Sequence, residues 1–255
     1  MENPKIIDCF CVWYDLLGYS GPFKEANWDL HNEICFENYE RIKNLEKVFH
    51  ASKAGGITLS VNDGVAKTLD ITKDYGKDMC QLIGFITFLI DDFYTINEKD
   101  AKGARGVFTF GQRFEYMKGD GTVTYSMNKN GTIQEYQNIY YPKEFQMNTA
   151  FSKANIIEES GCFPEGKKDY LYFDKYALDA IEGISKKVCT YSVSTYHAEE
   201  YFQFHINNGP IENHATTLIF DKEAIECCSK EKGITTKLYR LIGFSQNDKQ
   251  LYYRP

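Results

Sequence analysis

Hydrophobic and polar positions along the chain alternate between two periods, and the changes from one to the other mark the elements. Residues 6–14 form an almost unbroken apolar run with Cys, Phe, Val and Trp, as expected of a central strand buried on both faces. Gly18, Gly21 and Pro22 end it. Apolar positions at Leu30, Ile34, Cys35, Tyr39, Ile42, Leu45 and Phe49 then follow a helical period, so a helix capped by Asn27 or Asp29 is predicted to reach about His50. Residues 57–61 and 65–71 read as strands flanking Asn62-Asp63-Gly64, residue types that tolerate positive φ and close a hairpin. A second helix, apolar on a wide face, is predicted over 77–97, and a strand over 104–111.

Residues 112–141 hold two turn signals, Gly119-Asp120-Gly121 and Asn128-Lys129-Asn130-Gly131, amid Tyr, Thr and Val, and read as a hairpin excursion. A helix over 143–160, a strand over 170–173 and a short helix over 174–184 come next. The last third alternates strand-like runs (188–195, 200–206, 216–220, 237–244, 250–253) with polar connectors and carries no motif that points to chemistry. Strand, helix, hairpin, helix, strand, helix, strand is the order of an α+β, ferredoxin-like sheet, antiparallel or mixed, with helices on one face. The reading is one domain over 1–255, with a core of about 6–184 and a strand-rich C-terminal extension of about 185–255.

Composition narrows the function classes. A length of 255 residues suits one large core. A formal net charge of -7 disfavours nonspecific attraction to nucleic acid or anionic membrane. No run of about 18 apolar residues and no signal-peptide pattern is visible, so the expectation is a cytoplasmic protein with neither a nucleic-acid nor a membrane partner. The eight cysteines then read as reduced structural thiols, and the adjacent pair Cys227-Cys228 is a weak zinc or redox motif. His197, His205 and His214 lack ligand spacing and read as strand-surface residues, while Asp91-Asp92 reads as a charge pair at a helix end.

The candidate chemistry rests on two aspartates. Asp15 ends the first apolar strand, and Asp63 lies in the hairpin turn. If their strands are neighbours, two carboxylates meet at the sheet rim, where they can hold two divalent ions against a triphosphate. Each has a plainer reading, since Asp is common in turns. Arg105 reads equally as an ion-pair partner, with Glu158 or an acidic residue of the 77–97 helix, and as a substrate contact. Asn148 and Lys153 read as solvated helix positions or as nucleotide contacts.

Four segments resemble the class III nucleotide cyclases. Asp15-Leu16-Leu17-Gly18-Tyr19-Ser20 resembles their first metal motif, D-[IVL]-x-G-[FY]-[ST], and Val61-Asn62-Asp63-Gly64 their second. Arg105-Gly106-Val107-Phe108-Thr109-Phe110-Gly111 is similar to their R-G-x-I-x-x-G strand. Met147-Asn148-Thr149-Ala150, continuing to Lys153 and Glu158, resembles their V-N-x-A helix with its basic residue and L-E.

The resemblance implies a homodimer with sites at the interface and a nucleoside triphosphate substrate. Two divalent metal ions, magnesium or manganese, would be held by Asp15, Asp63 and the Leu16 carbonyl. Backbone amides of Leu17, Gly18, Tyr19 and Ser20 would face the triphosphate, and Asn148 of the second subunit would orient the ribose. The transition-state cation would be Lys153 or Arg105, because the family's basic position falls on Ser152. The two purine-reading positions fall on Leu59 and Tyr141. The chain is thus most similar to the single-domain uridylate and cytidylate cyclases of Pycsar anti-phage systems, which implies synthesis of cyclic UMP or cyclic CMP. Alternatives from the residues alone are a catalytically silent nucleotide or partner binder, a purine cyclase and a palm-type oligonucleotide synthase.

Overall fold

In the computed structural model the described residues are 5–115, 122–129, 132–140, 142–165, 170–184, 189–196, 199–207, 215–246 and 249–253. In chain order the elements are β1 (Ile6–Leu16), α1 (Ser20–Glu25), α2 (Phe36–Ala51), β2 (Ile57–Val61), β3 (Gly64–Ile71), α3 (Tyr75–Lys99) and β4 (Ala104–Phe114). They continue with β5 (Thr122–Lys129), β6 (Thr132–Tyr140), α4 (Thr149–Glu159), β7 (Leu171–Asp174), α5 (Lys175–Ile184) and β8 (Cys189–Tyr196). The chain closes with β9 (Glu199–Asn207), β10 (Ala215–Asp221), β11 (Ile225–Ser229), β12 (Ile234–Gln246) and β13 (Lys249–Tyr253).

The fold is mixed α+β. One sheet runs in the order β2-β3-β1-β4-β7-β12-β10-β9-β8, with β11 and β13 also paired to β12 and β5-β6 standing apart as a hairpin. β4 and β7 are parallel, whereas β1 is antiparallel to both β3 and β4. The strands of the last third continue this sheet through the β7-β12 pairing.

Period-two alternation along β1 divides the core. Phe10, Val12, Tyr14 and Leu16 pack on one face beneath α2, α3 and α5. Cys9, Cys11 and Trp13 face the other way, onto Ala150, Ala154 and Ile157 of α4. Helices α2, α3 and α5 therefore share one face, and α4 lies on the opposite one. Close approach puts it there: a Cβ on Gly111 of β4 would come within 2.6 Å of the Ala150 backbone nitrogen, so only glycine lets the first turn of α4 rest on the sheet.

Several expected boundaries move. The helix expected from Asn27 or Asp29 begins at Phe36, because Asn27 and Trp28 take left-handed φ values of 50° and 64° and Asn32 caps a short 3-10 turn instead. Leu30 and Tyr39, expected on its apolar face, are exposed, and the six-residue α1 was not expected. The helix expected over 143–160 starts at Thr149, after a turn in which Phe145 and Gln146 donate to the Pro142 carbonyl. Asp92 is not at a helix end. It lies inside α3, buried, with its carboxylate on Ser52, whose hydroxyl also receives Lys67 Nζ at 2.6 Å. Burial lowers the Lys67 pKa and raises that of Asp92, so each group depends on the other.

The stretch 76–99 of α3 is long and apolar enough to cross a membrane by length and composition. Leu82, Phe85, Ile86 and Leu89 along it are instead buried in the core beneath the sheet.

Candidate active site

The site is assembled at the end of β1. Alternation turns Asp15 to the α4 face, with Trp13 two residues before it. Asp63 reaches the same place through the two-residue turn between the paired Val61 and Gly64, in which Asn62 takes φ 52°. Gly64 lies directly opposite Asp15, and the Leu16 amide donates to the Asp63 carbonyl at 3.1 Å. On the other flank of β1, Arg105 of β4 is the cross-strand partner of Asp15. Glu158, in the last turn of α4, pairs with the Arg105 guanidinium, which also stacks over the Phe163 ring at 4.2 Å. The ion-pair reading of Arg105 thus describes its contacts.

Three carboxylates around one arginine leave an excess of negative charge. Burial pushes the Asp15 pKa up to about 8, the Glu158 and Asp63 charges add to the rise, and Arg105 opposes it. Asp63 is raised as well, chiefly by burial, with Arg41 opposing. Two desolvated carboxylates at one rim form an oxygen donor set that fits a hard divalent cation. Among the described residues no group of three or more His, Cys, Asp or Glu side chains is placed to hold a metal, so carbonyl and phosphate oxygens would complete any shell.

A cleft of about 530 Å³ opens beside Arg105, lined by Leu17, Gly18, Arg105, Gly161, Phe163 and Glu165. Gly18 takes φ 69°, a left-handed position that turns the chain from β1 into α1. The Leu17 amide already donates to the Gly103 carbonyl at 3.0 Å, which removes it from the set expected to face a triphosphate. The Tyr19 side chain packs edge-on against Phe23, its carbonyl accepts from Asn38 Nδ2 at 2.6 Å, and Ser20 opens α1.

Arg41 of α2 holds this turn, and nothing in the sequence marked it. A lone arginine in an amphipathic helix reads as solvated, yet Arg41 is only 7% exposed. Its Nε donates to Asp100 at 2.6 Å, and its Nη2 donates to the Leu17 carbonyl at 2.9 Å and to that of Gly103 at 3.4 Å. It thereby ties the β1-α1 turn to the turn before β4.

The remaining expected residues lie elsewhere. Asn148 is neither mid-helix nor solvated: it is the N-cap of α4, 1% exposed. Its Oδ1 accepts from the Phe151 amide at 2.9 Å, and its Nδ2 donates to the Glu144 carbonyl at 2.9 Å and to Thr68 Oγ1 at 3.4 Å. Orienting a ribose would require Asn148 to give up these cap contacts. Asn148→Ala is expected to lower stability by about 1–3 kcal/mol, since it removes a cap and leaves buried partners unpaired. Chemical denaturation measures it.

Lys153 lies five residues before Glu158, about 140° away around the helix. Half-buried, it sits over the Tyr176 ring at 4.7 Å; burial lowers its pKa and the Asp174 charge opposes the drop. Within one subunit it is therefore not beside Asp15. Leu59, halfway along β2, is half-buried against the cluster that contains Trp13 and Ala66. Tyr141, His197 and His214 lie outside the described residues, and His205 Nδ1 pairs with Thr217 Oγ1 at 2.9 Å.

No family model and no curated protein matches this sequence. Among solved structures, the chain is similar to the adenylyl cyclase CyaB from P. aeruginosa, at 9% identity and TM-score 0.43 over 94% of this chain and 96% of that one. It is also similar to the guanylyl cyclase Cya2, at 8% identity and TM-score 0.41 over the whole of both chains. A third is the guanylate cyclase domain of RhGC from Catenaria anguillulae, solved in complex with GTP, at 6% identity and TM-score 0.44 over 93% of this chain and 97% of that one.

Proposed function

We propose that this chain is a nucleotide cyclase that converts a pyrimidine nucleoside triphosphate, UTP or CTP, to a 3',5'-cyclic nucleotide and pyrophosphate, as a signal in anti-phage defence. The observation that carries the reading is the meeting of Asp15 and Asp63, 48 positions apart in sequence, at one rim beside Arg105 and a cleft. Asp15, Asp63 and the Leu16 carbonyl would hold two divalent ions, magnesium or manganese. Bound there, such ions supply charge neutralisation for the triphosphate and acidify the ribose 3'-hydroxyl.

The chain's own groups do the rest. Amides of Gly18, Tyr19 and Ser20 face the phosphates. Arg105, released from Glu158, meets the charge that develops as the 3'-oxygen attacks the α-phosphorus and pyrophosphate leaves. Leu59 gives the base an apolar contact where an adenylate cyclase of this type would carry its adenine-reading lysine, and this supports a pyrimidine. The active unit is a homodimer with its sites at the interface, in which Lys153 serves the partner's site. Exposed apolar residues on edge strand β2, Ile57 at 47% and Val61 at 43%, support a covering second copy.

Two observations favour a second reading, a nucleotide-binding protein without turnover: Arg105 is engaged by Glu158, and Asn148 by its cap. Incubation of the purified chain with each of the four ribonucleoside triphosphates and Mn(II), followed by mass spectrometry, separates the two. Cyclic UMP or cyclic CMP with pyrophosphate is the expected product. A purine product would remove only the base assignment, and no product from any of the four would remove the cyclase reading. Light scattering on the same sample measures the dimer.

A further inference from the structure

A second site lies behind the wall of the cleft. Helix α4 ends at Ser160 and Gly161, the latter at φ 69°, and the chain then turns through Cys162 to Phe163. Cys227 of β11 faces this turn, fully buried, while Cys162 is half-buried and open to solvent on one side. The two thiols are neighbours, each shifting the other's pKa. Ser160 bridges them, since its Oγ lies 3.4 Å from Cys227 Sγ and accepts from the Cys162 amide at 3.4 Å. Both cysteines are free, and both belong to the apolar cluster beneath α4. The adjacent Cys228 points away, onto Thr235.

We propose that Cys162 and Cys227 are a dithiol site, converted to a disulfide by hydrogen peroxide or by a small-molecule disulfide, that ties the cleft wall to β11. The chemistry needs one accessible sulfur and one neighbour that can lose its proton, and the pair divides these roles. The neighbouring Cys162 thiol favours the thiolate at Cys227, against its burial. With peroxide, the Cys162 proton moves to Cys227 and the Cys162 sulfur attacks the O–O bond. This gives a sulfenic acid at Cys162, and the expelled hydroxide takes up a proton to leave as water. The Cys227 sulfur, losing its proton, then attacks the sulfenic sulfur; the S–S bond forms as the S–O bond breaks and a second water leaves. Two thiols and one peroxide give one disulfide and two waters.

Gly161 and Phe163 line the cleft, and Phe163 carries the Arg105 guanidinium, so the bond would fix the segment on which Arg105 rests. This pairing would add a redox role to cysteines read from the sequence as reduced structural thiols.

The test uses the full chain and hydrogen peroxide, with oxidised glutathione as a second oxidant. The expected result is loss of two hydrogens from the intact mass, reversed by dithiothreitol. A non-reducing digest should join the peptide containing Cys162 to the one containing Cys227. Cys162→Ser and Cys227→Ser should each abolish the cross-link, whereas Cys228→Ser should leave it. Oxidation of Cys162 to sulfinic acid without a cross-link, or a cross-link that persists in Cys227→Ser, would overturn the proposal. Because the wild-type chain gives the mass readout, the outcome does not depend on a variant folding or on any nucleotide turnover.

Discussion

Asp15→Asn should abolish metal-dependent turnover and at the same time make the metal-free protein more stable at pH 8. Burial holds the Asp15 carboxyl at a pKa of about 8, far above its ordinary 3.8, with Glu158 and Asp63 adding to the shift. The folded state therefore binds this proton more tightly than the unfolded chain does. A raised folded value means that the contribution is fully present below the ordinary carboxylate value and is lost as pH rises through about 8. Wild-type stability should fall across that window, by an amount on the order of a few kcal/mol. The asparagine variant should show a flatter curve.

Manganese should restore the wild type by pairing with the charge, and it should leave Asp15→Asn unmoved. Thermal melts at pH 6 and pH 8, with and without Mn(II), measure both effects. A variant less stable than the wild type at pH 8 would mean that Asp15 is a structural hydrogen-bonding residue.

The second large effect belongs to Arg41. Arg41→Met leaves the largely buried Asp100 side chain without its cation and frees the Leu17 carbonyl, while the Gly103 carbonyl keeps only the Leu17 amide. Removing one partner of a buried pair costs about 3–5 kcal/mol, or a drop in Tm of roughly 2–4 °C for each kcal/mol in a chain of this size. Arg41→Lys keeps the charge, but one ammonium replaces a planar fork that bridges a carboxylate and two carbonyls. It should fold, and on the proposed function its KM for the nucleotide should rise more than its kcat falls, because the turn proposed to face the phosphates is loosened while Asp15 stays in place. Equal KM values for Arg41→Lys and wild type would show that the turn holds its shape without Arg41.

The strands and the meeting of Asp15 with Asp63 were legible because each left a local signal: an apolar run that ends in a carboxylate, and an Asn-Asp-Gly turn. Strand pairing did the rest by bringing Gly64 and Arg105 opposite Asp15. Helix starts were less legible. Asn148 looked like an interior helix position, and only tertiary contacts with Thr68 and Glu144 reveal it as a buried cap. Arg41 and Lys67 were invisible for the same reason, since a buried charge is recognised by a distant partner and sequence spacing does not announce Asp100 or Asp92. The approach of Cys162 and Cys227 around Ser160 was missed because it joins residues 65 positions apart, whereas the motif in view was the adjacent Cys227-Cys228.

Helix α4 is fastened at both ends. Asn148 anchors its first turn to Thr68 of β3 and to Cys9 at the start of β1, and Glu158 anchors its last turn to Arg105 beside Asp15, at the far end of that same strand. The two bearings lie ten residues apart, about 15 Å along the axis. A rod held in this way cannot slide along the sheet without losing one bearing. Any displacement of Glu158 must therefore be a pivot about the Asn148 end, and the sheet beneath sets the arc along which that carboxylate swings.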